Sequence, residues 1–210
     1  MPNPQQDDYK AMSAPNVQEK STDSPLRWMM ASEVAFLRAE GAMRGWTAEM
    51  GGTAEEFYNK GIELSFLENG LSADAAARYA ADETSKPTDF TDVSAANTKY
   101  NISALGKITI KWNAGASEEE QLERIITQKW IAMFPNGTEA WSEFRRTGYP
   151  LIFPVRSNYP TSGVDTNKQI RRMVFPQSEY SNNGAAVQEA VKLLGGPDNG
   201  GTKLWWDKKN

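Results

Sequence analysis

The sequence predicts a mainly α-helical protein with long irregular connections and little sheet. Three observations carry that expectation. Apolar residues recur at helical spacing in several separate stretches. Two Ser/Thr-x-x-Glu capping boxes open such stretches, at Thr53–Glu56 and Ser117–Glu120. Gly and Pro clusters punctuate the intervals, at Gly51-Gly52, Pro135-Asn136-Gly137 and Gly195-Gly196-Pro197.

Residues 1–26 are polar, contain Pro2, Pro4, Pro15 and Pro25, and show no period, so they read as a linker or extended segment before a domain at 27–210. A first helix is expected from about Met29 to Arg44. Met30, Val34, Leu37 and Gly41 share one face, and Ala35, Ala39 and Ala42 form an adjacent ridge small enough for close helix packing. The helix capped by Thr53 is expected to bury Phe57 or Tyr58, Ile62 and Ser65, ending near Gly70. Ser72 caps a shorter helix from Ala73 to about Asp82, so the pair reads as a helical hairpin.

Residues 84–104 read as loop. Lys107 to Trp112 alternates, with Ile108, Ile110 and Trp112 on one side, which is a strand period only six residues long. The helix opened by Ser117 carries Leu122, Ile126, Lys129 or Trp130, and Met133 at helical spacing. A Pro135-Asn136-Gly137 turn leads into a second helix with Trp141 and Phe144 on one face, stopped by Gly148 and Pro150. Residues 150–182 read as irregular. A last helix begins at Asn183 or Gly184, runs to Leu194, and is followed by an extended tail carrying Trp205-Trp206.

Composition narrows the function. The chain has 210 residues, 39% of them hydrophobic and 24% charged, with a net charge of −4 and no basic block, which argues against nucleic acid as a partner. It has no cysteine and no histidine. That removes disulfides, thiolate nucleophiles, Cys/His zinc sites and Ser-His-Asp catalysis. No run of about 18 apolar residues occurs, and Met1 to Asp8 does not read as a signal peptide.

Three ordered blocks resemble one family. They are Ala31-Ser32-Glu33-Val34-Ala35-Phe36-Leu37-Arg38-Ala39-Glu40-Gly41-Ala42 followed by Glu55-Glu56-Phe57-Tyr58-Asn59-Lys60-Gly61-Ile62; Gln128-Lys129-Trp130-Ile131-Ala132 through Asn136-Gly137 and Glu139-Ala140-Trp141 to Gly148-Tyr149-Pro150; and Arg171-Arg172-Met173-Val174-Phe175-Pro176 through Leu194-Gly195-Gly196-Pro197-Asp198 to Leu204-Trp205-Trp206-Asp207. Together they resemble the C-terminal half of SusD/RagB nutrient-binding outer-membrane lipoproteins. The resemblance implies tetratricopeptide-like (TPR-like) helical hairpins. It also implies a cell-surface protein that captures a glycan, or in some members a peptide, and hands it to a SusC-like TonB-dependent transporter without turning it over. Family members are more than twice as long and are held by a lipidated cysteine after a signal peptide. The resemblance therefore implies a C-terminal portion whose membrane association runs through an anchor absent from this chain. The alternatives are a cytoplasmic TPR-like scaffold for peptides and a helical glycoside hydrolase.

Sugar faces stack on exposed aromatic rings beside hydrogen-bonding side chains. On that chemistry the candidate ligand contacts are Trp112, Tyr100, Tyr159 and Asn158; Trp112 is expected to be partly exposed, and Trp130 and Trp141 to be core. No catalytic residue, metal ligand or cofactor is expected. Glu139 and Glu143 sit at i, i+4 on one helix, the spacing of a solvated charged face, whereas hydrolytic carboxylates converge across a cleft. Asp198-Asn199-Gly200-Gly201 lacks the alternating ligands and late glutamate of a calcium loop, and the oxygens of Asn158, Asp165 and Asn167 are only a weak ligand signal. Arg145-Arg146 and Arg171-Arg172 are expected in the scaffold, stacked on rings or paired with carboxylates.

Overall fold

The computed structural model describes residues 27–92, 98, 100–155 and 162–209. The expected polar segment 1–26 lies outside these. The elements are α1 (Ala31–Met43), α2 (Thr47–Met50), α3 (Ala54–Glu68), α4 (Ala73–Ala80), α5 (Glu118–Ala132), α6 (Gly137–Thr147) and α7 (Gln177–Leu194). Among the described residues there is no strand, only one isolated antiparallel bridge between Phe90 and Ile102. The mainly helical expectation holds.

The predicted caps form. Thr53 accepts from the Glu56 amide while Glu56 bonds back to Thr53, completing a capping box. At Ser117 one arm is made, the hydroxyl accepting from the Glu120 amide. Asn136 caps α6, and Gly148 and Gly195 take left-handed conformations just past α6 and α7. The last helix begins earlier than predicted, at Gln177. Asn183 breaks its backbone with φ −142 and ψ 33, so the expected start at Asn183 survives as an internal kink.

The core lies where α1, α3, α4 and α5 meet. Phe36 stacks edge-on against Tyr58 at 6.2 Å, and Tyr58 meets Trp112 at 5.2 Å. Ile62, Ala76, Leu122, Ile125 and Ile126 pack around these rings. The Tyr58 hydroxyl donates to the Ile110 carbonyl at 2.6 Å, so the buried phenol keeps a partner. The small ridge on α1 does what its size allows, since Ala35, Ala39 and Ala42 are all buried. Close approach also needs Gly61 on α3, where an added Cβ would meet the Phe36 ring at 2.6 Å.

Two helix faces differ from expectation. On α1, Val34 and Leu37 are exposed, and the buried face is Ser32, Glu33, Ala35, Phe36, Ala39 and Glu40. The apolar pattern misleads because two of the inward positions are glutamates. On α5 the inward residue is Lys129, only 1% exposed, and Trp130 lies outside the core. The Lys129 ammonium sits 3.0 Å from Glu143, 3.7 Å from Glu139 and 3.9 Å from Glu33. The Arg146 guanidinium reaches both Glu40 oxygens, at 2.7 and 2.6 Å, and Glu143 at 2.6 Å. Arg44 adds a bond to Glu40 at 2.9 Å. This network ties α1, α5 and α6 together by charge, beside the apolar contact that α1 and α5 make in the core.

Burial raises the Glu40 carboxyl, but bonds to Arg146 and Arg44 outweigh it, and its pKa ends below the usual carboxylate value. A depressed folded pKa means the stabilisation is complete above the unfolded value near 4.5 and is lost as pH falls through the folded one. Glu33 has the opposite sign: burial raises it, Lys129 only partly opposing, so acid relieves a cost there. Glu40→Gln is expected to lower stability at pH 7 by about 1–2 kcal/mol, the half-exposed Arg146 limiting the effect. It is also expected to flatten the loss of stability between about pH 5 and 3. Urea melts of wild type and variant across that range test this; parallel curves would contradict the assignment.

The C-terminal region is held the same way. Arg171 grips Asp207 with two bonds, at 2.7 and 2.5 Å, and donates to the Arg145 carbonyl at 2.9 Å. Arg145 lies 3.6 Å over the Trp141 ring and 5.0 Å from that of Trp206, and Trp141 donates to the Ile170 carbonyl. Arg172 pairs with Asp198, which also accepts from the Tyr180 hydroxyl at 2.8 Å. The scaffold reading of both arginine pairs holds.

Candidate functional site

Between α4 and α5 the chain makes a long excursion. Residues 82–90 run outward, and 102–111 return antiparallel to them. The two arms meet near their ends. The Lys111 amide donates to the Asp82 carbonyl at 2.9 Å, and Phe90 and Ile102 exchange backbone bonds at 2.8 and 3.0 Å. Asp82 shapes the outgoing turn by accepting from the Thr84 and Ser85 amides. Asp89 accepts from the Ala104 amide, and Asn101 from the Asp92 amide, each at 2.8 Å.

The returning arm keeps the predicted alternation. Ala104, Gly106, Ile108 and Trp112 are buried, and Ser103, Leu105, Lys107 and Lys111 are exposed. It is extended without being a strand, because the arms part between their meeting points. Neither the amide nor the carbonyl of Ile108 or Thr109 has a partner among the described residues.

The outer end of this ribbon carries aromatic surface. The Phe90 ring meets Phe153 edge-on at 6.3 Å. Phe90 is 46% exposed and Phe153 38%. Tyr100 is exposed just before the returning arm, two residues from Ile102. The loop bearing Phe153 is anchored by Gln169, which donates to the Phe153 carbonyl at 2.8 Å, and by the Val155 amide bonded to Thr166 at 3.0 Å. Two partly exposed rings from distant loops thus meet as a small aromatic platform, and an exposed ring face can stack on an apolar sugar face or a planar group.

Among the predicted contacts, Tyr100 is exposed, two residues before Ile102 in the chain. Asn158 and Tyr159 lie outside the described residues. Trp112 is corrected from partly exposed to buried, because Tyr58 and the α3–α5 seam cover its indole. One edge of Trp112 still borders an open groove of about 800 Å³ between α3 and α4, floored by Ala76, Ala77 and Ala80 and edged by Glu55, Glu63 and Asp74. Sequence reading missed Phe90 and Phe153, since a lone phenylalanine in a loop has no period. The available signal was a large ring in an irregular stretch with nothing at helical spacing to pack on.

A smaller cavity, about 250 Å³, opens where the arms part, against Gln128 of α5. The carboxylates that the sequence singled out are engaged elsewhere. Glu139 and Glu143 both face Lys129, and Asp198 is held by Arg172 and Tyr180. The described residues contain no group of three or more acidic side chains able to hold a metal ion, and no helix among them is long and apolar enough to cross a membrane.

Comparison with known proteins places this arrangement in a family. Residues 1–207 match the SusD-like family model, described as SusD and RagB outer membrane lipoprotein. Among curated proteins no match is found. A chitin-binding SusD homologue from Flavobacterium johnsoniae is 48% identical with a TM-score of 0.80, over 87% of this chain and 37% of that one. A SusD homologue from Bacteroides uniformis is 49% identical with a TM-score of 0.79, over 90% of this chain and 38% of that one. One from Bacteroides vulgatus is 38% identical with a TM-score of 0.89, over 99% of this chain and 41% of that one. The chain therefore spans about two fifths of the length of these relatives. The chain belongs to the SusD/RagB family.

Proposed function

We propose that this chain is the helical C-terminal part of a cell-surface glycan-binding protein that passes its ligand to a SusC-like TonB-dependent transporter, and that it binds without catalysis. The observation that carries the reading is the paired exposure of Phe90 and Phe153 on loops held in place by backbone and amide bonds. Loops on a rigid helical scaffold are where binding surfaces are built. The family's description as outer-membrane lipoproteins supports the location, and the chitin-binding relative supports a glycan ligand. The commitment of Glu139 and Glu143 to one buried Lys129 supports the non-catalytic reading, since hydrolytic carboxylates converge on a substrate across a cleft.

The test is calorimetric titration of the chain with chitin, glucan and xylan oligosaccharides. Phe153→Ala is expected to weaken binding roughly three- to tenfold while leaving the urea midpoint nearly unchanged, the loss of one stacked ring. Unchanged affinity would remove the platform from the site, and released product on prolonged incubation would overturn the non-catalytic reading. A second reading, a TPR-like peptide scaffold, is favoured by the α3/α4 groove. It predicts peptide binding that depends on Asp74 and ignores Phe153.

A further inference from the structure

The cavity between the parted arms has a chemistry of its own. Its apolar wall is Ile108, Ile110, Ile131 and Pro87, and Lys86 stands at its rim. Gln128, 8% exposed, forms the polar wall. The Gln128 carbonyl oxygen accepts from the Tyr79 hydroxyl at 3.2 Å. Its amide nitrogen, with two hydrogens to donate, has no partner among the described residues. Ile108 and Thr109, whose peptide groups have no hydrogen-bond partner among the described residues, line the same cavity. An unpartnered amide donor open to the cavity and an unpaired backbone carbonyl, set among aliphatic side chains, match an occupant that accepts, donates and brings a small apolar group.

Resting on the glycan reading above, we infer that this cavity receives the N-acetyl group of an amino sugar in the bound glycan. The acetyl oxygen accepts from Gln128 Nε2, the amide hydrogen is donated to an open carbonyl of the 108–109 segment, and the methyl packs on Ile108 and Ile131. The position suits this. Pro87 lies three residues before Phe90, at most about 11 Å of extended chain from the platform, within reach of a sugar one or two units along from the one stacked there. A volume of about 250 Å³ admits a substituent and part of its ring but not a whole oligosaccharide. The site thus separates N-acetylated glycans from neutral glucans that the aromatic platform alone would hold equally.

The experiment titrates the full chain with tetrasaccharides of N-acetylglucosamine, glucosamine and glucose, in wild type, Gln128→Glu, Ile131→Trp and Phe153→Ala. Gln128→Glu keeps the acceptor for Tyr79 and removes both donors. Ile131→Trp fills the cavity from a half-exposed position. Wild type is expected to prefer the N-acetylated ligand by about tenfold or more. Both cavity variants should lose that preference and retain glucan binding, while Phe153→Ala weakens all ligands together. Equal affinities in wild type, or a preference untouched by both cavity variants, would overturn the inference and leave the glycan reading standing. Binding of none of the three sugars would count against both. Binding of N-acetylated dipeptides with the same Gln128 dependence would reassign the cavity to peptide. Circular dichroism of each variant confirms that the helices persist.

Discussion

Lys129→Met is expected to lower the unfolding free energy by about 3–5 kcal/mol, the cost of removing one partner from a buried ion pair. The substitution keeps the volume and apolar stem of the side chain but takes away its charge. Glu143, at 3.0 Å, and Glu33, at 3.9 Å, would remain in the seam between α1, α5 and α6 without their cation. Arg146 offsets part of this through Glu143, to which it is also bonded. Urea denaturation at pH 7 measures the effect. Repeating it near pH 5 separates the electrostatic part, because protonation of the already raised Glu33 carboxyl should return some stability to the variant. A midpoint within experimental error of wild type would show that the carboxylates need no buried cation.

Trp112→Ala is expected to cost about 3–5 kcal/mol and Trp141→Ala clearly less, about 1–2 kcal/mol. This reverses the order that the sequence suggests. Trp112 is 7% exposed and closes the aromatic row with Phe36 and Tyr58, so truncation opens a cavity in the main core. Trp141 is only partly buried. Its ring carries the Arg145 guanidinium, and its nitrogen holds the Ile170 carbonyl, so truncation loosens the C-terminal region without emptying the core. Equal urea midpoints for the two variants would refute the burial difference.

What could be read from residues alone depended on whether the signal was local. Capping is local, so Thr53, Ser72, Ser117 and the stops at Gly148 and Gly195 were legible. Facing was legible where the inward residues are apolar, as at Tyr58 and Ile62 on α3. It failed on α1 and α5, where Glu33, Glu40 and Lys129 point inward because each finds its counter-charge on another helix. The alternation from Lys107 to Trp112 was read correctly as extended chain, but a strand also needs a neighbour, and the arm at 82–90 supplies one only near its ends. The candidate site was the least legible part. Tyr100 was picked from its place in a loop, whereas Phe90 and Phe153 have meaning only once folding brings them together.

The start of α1 illustrates how such long-range satisfaction shapes folding. Met30 offers no side-chain cap, and the Ser32 amide and hydroxyl are instead held at 3.0 and 2.6 Å by Glu68, the last residue of α3 and 36 positions away. A peptide comprising α1 alone would lack the Glu68 carboxylate at its first turn, and a helix of 13 residues is marginal in isolation. The two helices therefore form one cooperative unit. The Ser32 amide is therefore expected to exchange with solvent only when the end of α3 lets go, so that fraying at Glu68 reaches a helix start far back in the chain.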